Sequence, residues 1–144
     1  MPNLYLIAMI AGTEVAISSD CIESVVTIGD IIEIPKCDPL VAGLMALRSR
    51  VLTLIDCQYA VTGNSRHIGP KSNAVIVQVS GHNYALSVDA VRDVVLVEPE
   101  AIKAVTRLDS RWHAISTEIA VIDERVLMVI SPERLLSSRL AIAA

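Results

Sequence analysis

Gly12-Thr-Glu-Val-Ala-Ile-Ser-Ser-Asp-Cys-Ile-Glu-Ser-Val-Val26 and Gly81-His-Asn-Tyr-Ala-Leu-Ser-Val-Asp-Ala-Val-Arg-Asp-Val-Val95 are two versions of one pattern. Aligned without a gap, Gly12 meets Gly81, Ala16 meets Ala85, Ser18 meets Ser87, Asp20 meets Asp89, and Val25-Val26 meets Val94-Val95. A second echo follows in each half, where Arg50-Val-Leu-Thr-Leu-Ile55 is answered by Arg125-Val-Leu-Met-Val-Ile130. A chain that repeats itself at this scale is a fusion of two copies of one small β module. Two fused modules offer a cleft or two separate faces, a shape suited to binding more than to chemistry.

Working outward, the 144 residues divide into copies of about 11–70 and about 71–144. Units of that size bury too little to stand alone, so one cooperative body is expected. The composition is 53% hydrophobic and only 3% aromatic, with no Phe, so Val, Ile, Leu and Ala make the core and β-branching favours strands. Twelve basic residues against sixteen acidic ones, with a net charge of -4 and no basic block, give a phosphate backbone little to hold, which argues against nucleic acid. The apolar opening, Leu4 to Ile10, lacks a basic leader and runs straight into a turn at Gly12, which marks a first strand and not a signal peptide. No apolar run reaches bilayer-spanning length. Cys21, Cys37 and Cys57 are odd in number and widely spaced, so reduced, buried, structural cysteines in a cytoplasmic protein are expected.

The pattern reads as strand, turn, strand almost throughout. In the first copy Leu4–Ile10, Val15–Ser18 and Ser24–Ile28 are strands, with a helical turn capped by Asp20 between the last two. The second copy repeats the plan with Val75–Val79, Tyr84–Val88 and Val94–Val97, and a turn capped by Asp89. Each copy then loosens, over 29–39 and 98–113, before a hairpin: Leu44–Leu47 with Val51–Ile55, and Ile115–Ile122 with Val126–Ile130. Five strands per copy predict a small barrel. Residues 61–72, with Gly63, Gly69 and Pro70, form the linker, and Ser131-Pro132-Glu133 opens a short C-terminal helix carrying Leu135, Leu136 and Leu140.

Chemistry is missing from the pattern. His67, His82 and His113 lie far apart in no metal-ligand spacing, and phosphate loops, nucleophile elbows and metalloprotease helices are absent. Asp123-Glu124 falls where a hairpin turn is expected, and Asp20 and Asp89 read as local caps. The lone Trp112 is either a plug on a barrel end or an anchor for a partner. No enzyme, cofactor or metal is expected.

The stretch Leu40-Val-Ala-Gly-Leu-Met-Ala-Leu-Arg-Ser-Arg-Val-Leu-Thr-Leu-Ile-Asp-Cys57 resembles the signature of the CheW family of chemotaxis coupling proteins. That signature has a glycine, then Asn-Leu-Arg-Gly, a hairpin, and a strand ending Pro-Val-Ile-Asp-Leu. Here Gly43 falls on the glycine, Leu47-Arg48 on Leu-Arg, Arg50 on a commonly basic position, and Ile55-Asp56 on Ile-Asp. The repeated Gly-to-Val-Val pattern quoted above extends the resemblance over nearly the whole chain. Departures are Ala46 for the asparagine, Ser49 for the glycine, Thr53 for the proline and Cys57 for the leucine. Serine enters positive φ reluctantly, so the turn at Ser49 is expected to be reshaped.

The resemblance implies an all-β fold of two SH3-like five-stranded barrels packed together, with strand 4–10 open to exchange into the second. It implies an adaptor in the cytoplasm, coupling methyl-accepting chemoreceptor tips to the regulatory domain of the histidine kinase CheA. The receptor-facing groove would then hold Arg48, Leu47, Gly43, Val51, Ile22 and Val25, and the apolar run Ile31, Ile32, Ile34 and Pro35 would meet the kinase or be buried between barrels. The repeat sharpens this choice. Arg50 recurs as Arg125 and serves the shared hairpin, whereas Arg48 faces Asp123 and is the better candidate for a specific contact. Two alternatives stand beside the adaptor: a decoy paralogue that occupies one partner, and an SH3-like barrel binding a small ligand or nucleic acid.

Overall fold

The computed structural model describes residues 2–34, 39–64, 68, 72–104, 116 and 118–140, without the side chains of 137–140. Trp112, Pro35, Cys37, His67 and His113 therefore lie outside the described residues. The first copy supplies strands β1 (Asn3–Ile10), β2 (Thr13–Ser18), β3 (Ile22–Thr27), β4 (Ile31–Ile32), β5 (Val41–Leu47) and β6 (Arg50–Ile55), then helix α1 (Cys57–Thr62). The second supplies β7 (Asn73–Val79), β8 (His82–Val88), β9 (Ala90–Val97), β10 (Ile102–Ala104), β11 (Glu118–Ile122) and β12 (Arg125–Ile130), then helix α2 (Pro132–Leu140).

Each copy thus holds six strands where five were expected. The additions, β4 and β10, are two and three residues long, too short for a period to show in the sequence. Each copy also ends in a helix. Asp56 caps α1 by accepting from the Tyr59 N–H at 3.0 Å, and Gly63 closes it with φ of 78°. Ser131 caps α2 by accepting from the Arg134 N–H at 3.3 Å, as its sequence predicts.

Two six-stranded sheets result, in the orders β10-β11-β12-β2-β1-β9 and β3-β7-β8-β6-β5-β4. Position by position they match, with β2 beside β12 and β8 beside β6 in the same parallel register: Met128 opposite Val15, Thr53 opposite Tyr84. The sheets do not follow the division of the chain at residue 70. The whole hairpin β1–β2, not strand 4–10 alone, lies in the sheet of the second copy, and β7–β8 lies in that of the first.

The reason is visible in the burial. Ile28, Met45, Leu52, Leu54, Ala74, Ile76 and Ala85 form one core, to which the partly buried Val26 and Ile31 add, so all six strands of one sheet wrap around it. Ile7, Ala16, Val97, Ala120 and Leu127, with Ile102, form the equivalent core of the other. A third core lies between the sheets. It takes the opposite faces of the exchanged hairpins (Leu6, Ala8, Ile10, Val15, Ile17, Val75, Val77, Leu86 and Val88) with residues of α1 and with Leu135 and Leu136 of α2. Strands buried on both faces read as continuous apolar runs, which is why Leu4–Ile10 looks unlike an alternating strand.

Candidate partner-binding site

The β5–β6 hairpin pairs Leu47 with Arg50 and Ala46 with Val51, leaving Arg48-Ser49 as a two-residue loop. Both loop residues have positive φ, 50° and 68°, the signature of a type I′ turn. Ser49 therefore does not reshape the turn. Ala11-Gly12, Ser80-Gly81 and Asp123-Glu124 make the same turn in the other three hairpins, so the fold imposes the geometry even where glycine is absent.

The turn throws Arg48 into solvent. Beside it Val51 is 65% exposed. Arg50, on β6, reaches across to Glu23 on β3, three places away in the sheet order, so the sheet curls enough to bring these two strands together. The hydrogen bond from Arg50 holds the Glu23 carboxyl below its ordinary range, and the charges of Arg50 and then Arg48 add to this. The equivalent Arg125 instead holds Glu14 on β2, with Nε donating at 3.3 Å and Nη2 at 2.7 Å.

Against this geometry stands one decisive comparison: the family of CheW-like domains matches residues 4–140. The chain belongs to that family. The crystal structure of the scaffolding protein TtCheW from Thermoanaerobacter tengcongensis is similar to it, with a TM-score of 0.85 and 23% identity over 94% of this chain and 93% of that one. A comparison with curated proteins gives no match.

In this CheW-like chain the receptor-facing candidates separate into two groups. Arg48, Val51 and Val25 are exposed, Val25 at 43%. Ile22 is half-buried against the core between the sheets, and Leu47 against the core that holds Met45 and Leu52. Gly43 is buried, and its role there is steric. A side chain at Gly43 would meet the Ile32 carbonyl oxygen at 2.6 Å and the Ile31 side chain at 2.9 Å, so the missing Cβ is what lets β4 lie on β5. Of the kinase-facing candidates, Ile31 packs on a core while Ile32 is 60% and Ile34 37% exposed.

Several residues with a part in the site escaped the sequence reading. Glu23 was one of them, although its counterpart in the repeat is Arg92, a reversal of charge that marks a copy-specific position. Asp89 acts beyond a local cap: its carboxylate accepts from the Gly12 N–H at 3.0 Å and so ties the β1–β2 turn to the end of β8. Asp20 does not cap: the Ser18 hydroxyl accepts from the Asp20 N–H at 3.3 Å. Among the described residues no group of His, Cys, Asp and Glu could hold a metal ion, and no helix is long and apolar enough to cross a membrane.

Proposed function

We propose that the protein is a chemotaxis adaptor that couples methyl-accepting chemoreceptors to the histidine kinase CheA in the cytoplasm, acting by binding alone. The observation that carries this reading is the β5–β6 hairpin: its family signature and its exposed Arg48, which stands where the other copy has Asp123, with the exposed apolar Val51 beside it and Val25 exposed on β3. A guanidinium held clear of its own strand can engage carboxylates or carbonyls of a receptor helix at several points. The exposed Ile32 and Ile34, carried by β4 and the residues after it, offer the kinase a separate apolar contact.

Kinase activation in a reconstituted receptor array, comparing the unaltered protein with Arg48→Glu, tests this. The adaptor activates and the variant loses activation. A decoy paralogue would bind one partner and activate in neither form. Ala46, in place of the family asparagine, favours that second reading, whereas the retained turn at Ser49 removes half of its basis.

A further inference from the structure

Where the paired parallel strands β6 and β8 begin lies an open groove of about 540 Å³, lined among others by Arg50, Val51, Thr53, His82, Asn83 and Tyr84. The matching place in the other sheet is bridged by an ion pair. There Glu14 stands in the position of Asn83 and Arg125 in that of Arg50, and the two form a forked ion pair. In the groove the glutamate has become an amide. The amide has no charge to hold a guanidinium, and Arg50 turns away to Glu23.

The charges differ in the same sense. At the bridged end Glu14, Asp123 and Glu124 outnumber Arg125, while at the open end Arg48 and Arg50 share Glu23. The Arg50–Glu23 pair is exposed on both sides, 42% and 40%, and pairs of that kind contribute little, so exchanging one carboxylate for another costs little. Arg48 already acts on Glu23 and continues to compensate it when Arg50 leaves.

We propose that the β6–β8 groove binds a carboxylate side chain of an acidic segment in another protein. The incoming carboxylate takes the place that Glu14 fills in the other sheet, on the guanidinium of Arg50, with the Asn83 amide and the His82 ring as further donors. The groove shares Val51 with the receptor-facing surface argued above, but it is tested without receptor or kinase, so its failure would leave the adaptor reading standing.

The probe is a fluorescein-labelled hexa-glutamate peptide, with hexa-glutamine as control, titrated into the full chain and followed by anisotropy. Hexa-glutamate binds saturably and weakens with salt; hexa-glutamine does not bind. Asn83→Glu supplies the missing carboxylate internally, pairs with Arg50 as Glu14 pairs with Arg125, and lowers affinity about tenfold with the melting temperature kept. Asn64→Glu, the same charge on an exposed site outside the groove, leaves affinity unchanged. Glu23→Gln frees Arg50 and tightens binding, and it decides the matter should Asn83→Glu fail to fold. Equal binding by hexa-glutamine, equal weakening by Asn64→Glu, or no tightening by Glu23→Gln overturns the proposal. Self-association of the unaltered protein that Asn83→Glu abolishes would give the groove to a second copy and overturn it as well.

Discussion

A two-residue turn with positive φ at both positions suits Asn-Gly and strains Arg-Ser, because a Cβ crowds the carbonyl in the left-handed region. Ser49, at φ of 68°, carries that strain where the family signature has glycine. Ser49→Gly is expected to stabilise the protein by about 1 kcal/mol and to raise the midpoint of thermal unfolding by about 3 °C. An unchanged midpoint would mean that the strain is relieved elsewhere. Cys57 offers a second check at this scale. It is fully buried at the start of α1, and burial first, then Asp56 and Asp89, pushes its thiol far above the ordinary range. The folded state thus keeps a proton that the unfolded state releases, so stability is complete below about pH 8.5 and falls as pH rises through that value. Chemical denaturation from neutral to alkaline pH should show this fall in the unaltered protein and a shallower one in Cys57→Ala. The same burial makes Cys57 unreactive to alkylation until the chain unfolds.

At the scale of elements, β4 depends on the absence of one side chain. Gly43→Ala would set a Cβ against the backbone of Ile32, an obstacle that no rotamer can avoid. The expected cost is about 1–3 kcal/mol, with β4 displaced from β5 and hydrogen exchange accelerated at Ile31 and Ile32. Native-like protection there would show that the strand is held by something other than this close approach. The main strands and α2 were legible in the sequence because their signals are strong: repeated turn residues, β-branched runs, and a serine cap followed by proline. Helix α1 was not, though Asp56 and Gly63 bracket it as plainly. Asp56 falls in the family's Ile-Asp motif, where it reads as the end of a strand, and six residues display too little period to correct that. Glu23 was hidden for a different reason: its partner Arg50 lies across a curled sheet, a proximity that spacing along the chain cannot express.

For the whole molecule, the partition of strands changes what the repeat means. All strands of one sheet lie in a single continuous stretch, residues 22–88, inserted between β2 and β9 of the other. The repeat boundary and the sheet boundary are therefore out of step by one hairpin. Sequence similarity reveals only the first, since equivalent strands look alike whichever sheet they join. Each copy lends its doubly buried hairpin to the other sheet, and the core between the sheets is built from both loans. Neither sheet can lose its tertiary packing without exposing that shared core, so unfolding should be a single transition with coincident midpoints by circular dichroism and by side-chain resonances from either sheet. Leu86→Ala in the shared core and Leu54→Ala in the core of one sheet should each lower that same transition by about 2–5 kcal/mol. A fragment of residues 1–70, one whole copy of the repeat, lacks β7 and β8 for one sheet and β9 and β12 for the other hairpin, and it should stay unfolded. Residues 19–89 retain every strand of one sheet but leave the faces of Val75, Val77, Leu86 and Val88 uncovered, so this fragment should collapse without cooperative unfolding. Two separate transitions in the intact chain, or a stably folded 1–70, would show that the copies and not the sheets are the units of stability.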